Sequence, residues 1–340
     1  MTAPVVAERP ETGLGDAVAA ALDIATMQRR LRALLPSTGT RPMGPTLVSA
    51  QPITLKPRRR ILIEYVLARG PRESRVRVFG KLFPDRSRAV RLHRTWRGLE
   101  GVDFGADAGV PRLLGRIDSL GLVVYLPAPG RTLADDLFSH HADAAVRRTG
   151  EWLARLHAGR VVLDRRLDLA REVENARLWA EQTAAAHPSV ASRARRLGDE
   201  LAACAGAIRP ETDVPVHKDL HPGHVVVGPR LAVIDFDEMR LGDRSADMAH
   251  FCVYLQLAEM RHGPCGQIER LRRAFLAEYS TCTGWTPDMR FEFFSAYTWL
   301  KVARQLTRGS GMAPHPTGLE RTRQLRAAVD RGHAAIRELM

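Results

Sequence analysis

Lysine is nearly missing from this chain. Of its 51 basic residues only Lys56, Lys81, Lys218 and Lys301 are lysine, and the rest are arginine. Where the two serve equally, the composition has drifted to arginine. A retained lysine therefore marks a place that needs a compact charge on a flexible stem. Cysteine is scarce too: Cys204, Cys252, Cys265 and Cys282 show no C-x-x-C pairing or regular metal spacing. They read as reduced, partly buried thiols of a cytoplasmic protein. No apolar run is long enough to span a bilayer, so no membrane partner is expected. The opening MTAPVVAERPETGLGD lacks a basic start followed by an apolar core, which argues against a secretory signal. GxSxG, a Cys/His nucleophile pair, RNP and zinc-finger patterns are also absent, and no nucleic-acid partner is expected.

What is present is a 340-residue chain, 45% hydrophobic and 26% charged, ordinary for a globular protein. Its net charge of +13 is uneven. Between Lys56 and Leu99, 14 basic residues face three acids (Glu64, Glu73, Asp85). Such a block is either a solvated basic face or a patch for anionic partners, phosphates or an acidic peptide among them.

Apolar spacing predicts a leading amphipathic helix over 16–35, ending before Pro36, and a Pro/Thr/Ser/Gly-rich stretch with a short strand over 36–54. ILIEYVLA (61–68) and SRVRVFGKLF (74–83) read as a hairpin, followed by a basic helix over 85–99 and two strands within 110–128. From Leu133 onward the pattern is helical: 141–157, 168–185, 190–208, 245–261, 266–280, 287–308 and 317–338, interrupted by a strand-loop-strand at 214–236. The expectation is an α+β chain, with a strand-rich lobe over 1–126 and a helical lobe over 127–340.

The stretch VPVHKDLHPGHVVVGPRLAVIDFDEMRLGDRSADMAHF, Val214 to Phe251, carries the chemistry. His217-Lys218-Asp219 follows a short apolar run. VVVG and LAVIDF read as two buried strands, with Asp235 emerging from the second. Two carboxylates so placed can divide phosphoryl transfer, one taking the proton of the attacking hydroxyl and the other holding Mg²⁺ against phosphates. His217, Asp219, His221 and His224 alone spell H-x-D-x-H-x-x-H, which also suits a zinc or iron hydrolase. The downstream IDFD, the isolated Lys81 and the order of the lobes count against that.

The stretch resembles the H-G-D-L-H-x-G-N…I-D-F-D…G-D-x-x-x-D signature of aminoglycoside phosphotransferases and related small-molecule kinases, which share protein-kinase logic. The resemblance implies a bilobal protein-kinase-like fold, a small antiparallel-sheet lobe followed by a larger helical one. It implies an ATP- (or GTP-) and Mg²⁺-dependent enzyme, with Asp219 as catalytic base and Asp235 as main metal ligand. Asp237 would be a further metal-site carboxylate, and His217 would hydrogen-bond the catalytic loop. Asp243 and Asp247 would brace the following segment, and Lys81 would grip the nucleotide phosphates. Lys56 and Arg60, with Arg58 and Arg59, fall where a phosphate-covering loop belongs, although no glycine-rich loop is there.

Two departures stand out. His224 replaces the metal-binding asparagine, which leaves three readings: binding through water, a preference for Mn²⁺ over Mg²⁺, or lost activity. The helix after Lys81 has no acid between Asp85 and Glu100, leaving Glu100 as the nearest partner for a lysine–glutamate pair. The expected acceptor is a hydroxyl of a small molecule. The alternatives are a Ser/Thr kinase of an acidic peptide or protein in modified-peptide biosynthesis, or a catalytically weak binding subunit. Residues 251–340 hold 13 basic against eight acidic residues, so no acidic groove for a polycation is advertised.

Overall fold

The computed structural model describes residues 5–6, 14–35, 45–56, 60–68, 75–262, 266–308 and 318–339, except the side chains of 5–6, 55–56 and 262. Two compact units result: 1–130 with 228–237, and 131–227 with 238–340. No described helix is long and apolar enough to cross a membrane.

The first unit begins with β1 (Val5–Val6), α1 (Leu14–Leu22) and α2 (Ile24–Leu34). The single helix expected over 16–35 is thus two. Asp23 turns extended between them and accepts a hydrogen bond from Thr26 N at 2.8 Å, capping the second. Then come β2 (Thr46–Lys56), β3 (Arg60–Ala68), β4 (Arg75–Leu82), α3 (Arg86–Glu100), β5 (Ala108–Gly109), β6 (Leu113–Ile117) and β7 (Leu122–Tyr125). A six-stranded sheet has the order β1-β6-β7-β4-β3-β2, antiparallel except for β1 on β6. β2 is longer than the short strand expected. It tolerates Pro52 because it is the sheet's edge, with a register shift just beyond that proline.

β3 alternates strictly, burying Ile61, Ile63, Tyr65 and Leu67. These pack with Val78, Leu82, Leu122 and Val124 against Met27, Leu31 and Leu34 of α2. The Tyr65 hydroxyl donates to Ala21 O at 2.9 Å, so its polar end is satisfied inside this core. The opposite face of the sheet carries Arg60 and Leu62. Because Leu62 lies across from Lys81, the sheet's period of two puts the Arg60 and Lys81 side chains on one face.

In the second unit β8 (Arg131–Thr132), α4 (Leu133–Asp136), α5 (Ala142–Ala158), α6 (Leu169–Ala186), α7 (Ala191–Cys204), β9 (Val214–Val216) and β10 (Val225–Val227) follow. The chain then returns to the first unit: β11 (Leu231–Val233) pairs in parallel with β5, Leu231 opposite Ala108. Residues 228–237 therefore pack with the strand-rich unit, although they lie beyond a boundary drawn at 126. Last come β12 (Arg240–Gly242), antiparallel to β9, then α8 (Arg244–His262), α9 (Gln267–Thr283), α10 (Met289–Arg308) and α11 (Gly318–Arg337). α10 is buried on most of its surface, from Phe291 through Leu306, and forms the core of the helical unit with α8 and α11.

Gly80 precedes Lys81 where β4 meets the core. A Cβ there would lie 2.8 Å from Tyr65 Cε2 and 2.9 Å from Leu122 Cδ1. Gly80→Ala is expected to destabilise the protein by about 1–3 kcal/mol through overpacking. Urea unfolding would measure it, and an unchanged midpoint would contradict this packing.

Candidate active site

In the first unit, Lys81 and Arg60 meet Asp235 and Asp237. The Lys81 ammonium is 2.9 Å from Asp235 Oδ1 and 2.8 Å from Asp237 Oδ1. The Arg60 guanidinium reaches Asp235 Oδ1 at 3.1 Å and Oδ2 at 2.8 Å, and Asp237 Oδ2 at 2.5 Å. Lys81 is 5% exposed. Burial alone would pull its pKa down, but the two carboxylates outweigh burial and hold it above the ordinary lysine value. Arg60 is raised in the same way. Two cations on two carboxylates leave the cluster balanced, as a buried charge group must be. Beside it, Trp96 packs its ring against Tyr125 and Phe236, at centroid distances of 4.7 and 5.2 Å.

Lys81 takes its carboxylates from 235 and 237, not from α3. Glu100 pairs instead with Arg97 at 2.6 Å and accepts from Leu113 N at 3.3 Å, so the lysine–glutamate pair is absent. Lys56 ends β2 opposite Arg60 in the strand register, and its side chain, like Arg58 and Arg59, lies outside the described residues.

In the second unit, β9 runs into His217, Lys218 and Asp219. Asp247, on the first turn of α8, accepts from the backbone N–H of His217 and of Lys218, each at 2.6 Å. His157 Nε2 lies 3.2 Å from the same carboxylate and His157 Nδ1 is 2.6 Å from the Tyr279 hydroxyl. Asp243 accepts from Glu211 N at 2.9 Å and from Ser245 N at 2.8 Å, fixing the start of α8. Both aspartates thus tie down backbone, while the His217 ring is fully buried, with its centroid 6.5 Å from the Trp152 ring.

Lys218 stands where the signature has glycine, at φ 71°, and Asp235 is at φ 72°. Among the described residues these are the non-glycine residues at positive φ. Such backbone costs on the order of 1–3 kcal/mol and clusters at functional sites. The Lys218 amine is held by Glu172 at 3.2 Å and lies 4.9 Å from the centre of the Tyr297 ring.

Asp219 is touched by the Lys301 ammonium at 2.7 Å, with His250 Nε2 at 3.3 Å from the same oxygen. Burial pushes the Asp219 carboxyl up, but Lys301 and then His250 outweigh it and hold it well below the ordinary value. His224 Nδ1 is 2.8 Å from the Asp219 backbone carbonyl. A carbonyl only accepts, so Nδ1 carries a proton in this contact. His221 Nδ1 accepts from Gly223 N at 3.1 Å, which places the His221 proton on Nε2. Ligand atoms of Asp219, His221 and His224 lie within 4.8 Å of one another. His221 Nδ1 is engaged by backbone and Asp219 Oδ1 by Lys301, so a metal ion at these three would have to compete with Lys301 for the carboxylate.

Spacing alone missed Lys301, and the scarcity of lysine was the signal that could have found it. His250 is buried against Asp219 because it lies about one turn after Asp247 on α8.

Burial, then Lys301, depress the His250 pKa to about 4. In the unfolded chain an imidazole titrates near 6.5, so between pH 6.5 and 4 the unfolded state binds the extra proton. Stability is therefore expected to fall as pH drops through that window, by roughly 3 kcal/mol from His250 alone. Urea unfolding across pH 7.5–4.5 checks this. The His250→Gln variant should show a shallower slope, and an unchanged slope would contradict the assignment.

With this geometry in hand, comparison with known proteins is informative. The model of the phosphotransferase enzyme family, APH, matches residues 55–290. No curated protein matches the sequence. Among solved structures, choline kinase LicA from Streptococcus pneumoniae superposes with a TM-score of 0.60 at 13% identity, covering 91% of this chain and 98% of that one. Choline kinase from Cryptosporidium parvum gives 0.58 at 13% identity, over 93% and 96%. A glucosamine kinase in complex with glucosamine, ADP and inorganic phosphate gives 0.51 at 17% identity, over 81% and 79%. These likenesses establish the α+β, protein-kinase-like fold. The family model spans well over half the chain, over β3, β4, the H-K-D loop and I-D-F-D alike: this protein belongs to the phosphotransferase enzyme family.

Proposed function

We propose that the protein transfers the γ-phosphoryl group of ATP to a hydroxyl of a small molecule, with Asp219 as proton acceptor and Asp235 as the main metal ligand. The observation that carries this reading is the pairing of Lys81 and Arg60 with Asp235 and Asp237. Phosphate oxygens and carboxylate oxygens compete for the same cations. A nucleotide therefore draws Lys81 and Arg60 onto its phosphates and leaves carboxylates free for a cation. The all-oxygen donor set of Asp235 and Asp237 fits Mg²⁺. A divalent ion so held would neutralise phosphate charge.

The remaining work falls to the chain. Asp219 takes the proton from the acceptor hydroxyl as its oxygen bonds to the γ-phosphorus. The bond from that phosphorus to the β–γ bridging oxygen breaks, and ADP leaves with the electron pair. Asp247 holds the H-K-D backbone so that the Asp219 carboxylate keeps its direction through this step. The protein's fold relatives act on choline and glucosamine by their names, which supports a small-molecule acceptor.

Asp219→Asn and Asp235→Asn are each expected to lower the rate of phosphoryl transfer by about a hundredfold or more. Affinity for the metal-bound nucleotide should fall more in Asp235→Asn, since that carboxylate acts through the metal. Steady-state kinetics with ATP and Mg²⁺ or Mn²⁺ read both, and near-normal turnover in both variants would overturn the mechanism.

A further inference from the structure

On the reading of Asp219 as proton acceptor, we propose that the acceptor is a small hydroxyl compound bearing a carboxylate or phosphate group, and that Lys301 receives that anion. The Lys301 ammonium sits 2.7 Å from Asp219 Oδ1, and both side chains keep a partial opening, 20% and 31% exposed. A ligand whose hydroxyl reaches Asp219 must therefore come up against Lys301. A cationic acceptor would bring like charges together there, whereas an anionic one is attracted.

α10 extends the same bias. Arg304 and Arg308 lie three and seven residues beyond Lys301, on the same side of the helix. Both guanidinium groups reach the Gln182 amide oxygen, each at 2.9 Å, and Arg304 lies 6.0 Å from the Trp179 ring centre. From Phe293 to Arg308 the helix has no acid. The groups that keep Lys301 cationic are Asp219, Tyr254 and Glu238, which outweigh its burial. Of these, Asp219 is the carboxylate in contact. The protein retains a lysine here although it uses arginine almost everywhere else.

The pair also couples binding to chemistry. Asp219 Oδ1 cannot at once accept from Lys301 and take the hydroxyl proton with full basicity. An anion on the acceptor takes over the Lys301 ammonium and releases that oxygen. The hydroxyl then gives its proton to Asp219 while its oxygen forms the bond to the γ-phosphorus and ADP departs. A neutral or cationic acceptor leaves Lys301 in place and the base restrained.

The test uses the intact chain with ATP, Mg²⁺ or Mn²⁺, and sugars matched in their pyranose skeleton: glucuronate, glucose 6-phosphate, glucose and glucosamine. Phosphorylated product is read by mass spectrometry, and binding of each hexose by calorimetry with a non-hydrolysable ATP analogue. Expected is a preference of about tenfold or more, in kcat/KM or in affinity, for an anionic member over glucose and glucosamine, equal to roughly 1.4 kcal/mol. Lys301→Gln should abolish that preference and Lys301→Arg should restore part of it. The glucuronate and glucose 6-phosphate arms distinguish carboxylate from phosphate. A wild-type preference for glucosamine, binding of no anionic member, a preference surviving in Lys301→Gln, or faster phosphorylation of an acidic serine peptide would each overturn the proposal. If no hexose is phosphorylated, the phosphotransferase reading fails on that readout, while the calorimetric ranking still decides the anion preference.

Discussion

Two carboxylates facing two cations organise the first unit. Asp235 and Asp237 arrive on a segment more than a hundred residues downstream of β7, yet they lock onto Lys81 and Arg60 of the central strands. The parallel pairing of β11 with β5 delivers that segment, and the packing of Phe236 on Trp96 anchors it. Charges this well shielded are stable only while balanced, because removing one partner leaves the other buried and uncompensated. The same balance makes the cluster responsive. On the proposed function, phosphates would take over the two cations while a divalent ion takes over the two carboxylates, so that each charge keeps a partner.

The second unit applies a comparable device to Asp219. Asp247 fixes the backbone on either side of the H-K peptide, and Lys301 fixes the carboxylate itself. Strain is concentrated at these places. Lys218 and Asp235 occupy left-handed backbone that glycine adopts freely and a long side chain does not. Lys218 holds that conformation with an amine anchored by Glu172 and the Tyr297 ring. Buried ion pairs contribute little net stability, so pairs around strained residues are better understood as positioning devices.

Much of this was legible in the sequence because the motif is local. The strand-loop-strand read at 214–236 sets Asp219 after β9 and Asp235 after β11, but Asp247, expected to brace the segment that follows, holds the H-K backbone that precedes it. Strand alternation gave β3 and β4, and helical spacing gave the later helices to within a few residues at most ends. What escaped was non-local. Lys301 lies 82 residues from the aspartate it touches, and no spacing rule links a helix interior to a distant loop. The partner of Lys81 was sought in the next helix, as in protein kinases, and instead comes from the I-D-F-D segment itself. β2 was masked by Pro52, which an edge strand accommodates. The break at Asp23 was hidden by apolar residues continuing on both sides of it.

On the proposed function, Asp235, Asp237, Lys81 and Arg60 form a site for a metal-bound nucleotide. Calorimetric titration of ATP into the intact chain, with Mg²⁺ or Mn²⁺ and then with a chelator, tests it directly. Saturable binding is expected with either ion, weakening by about tenfold or more when the ion is removed. Equal affinity with and without a divalent ion, or no binding of ATP at all, would contradict it.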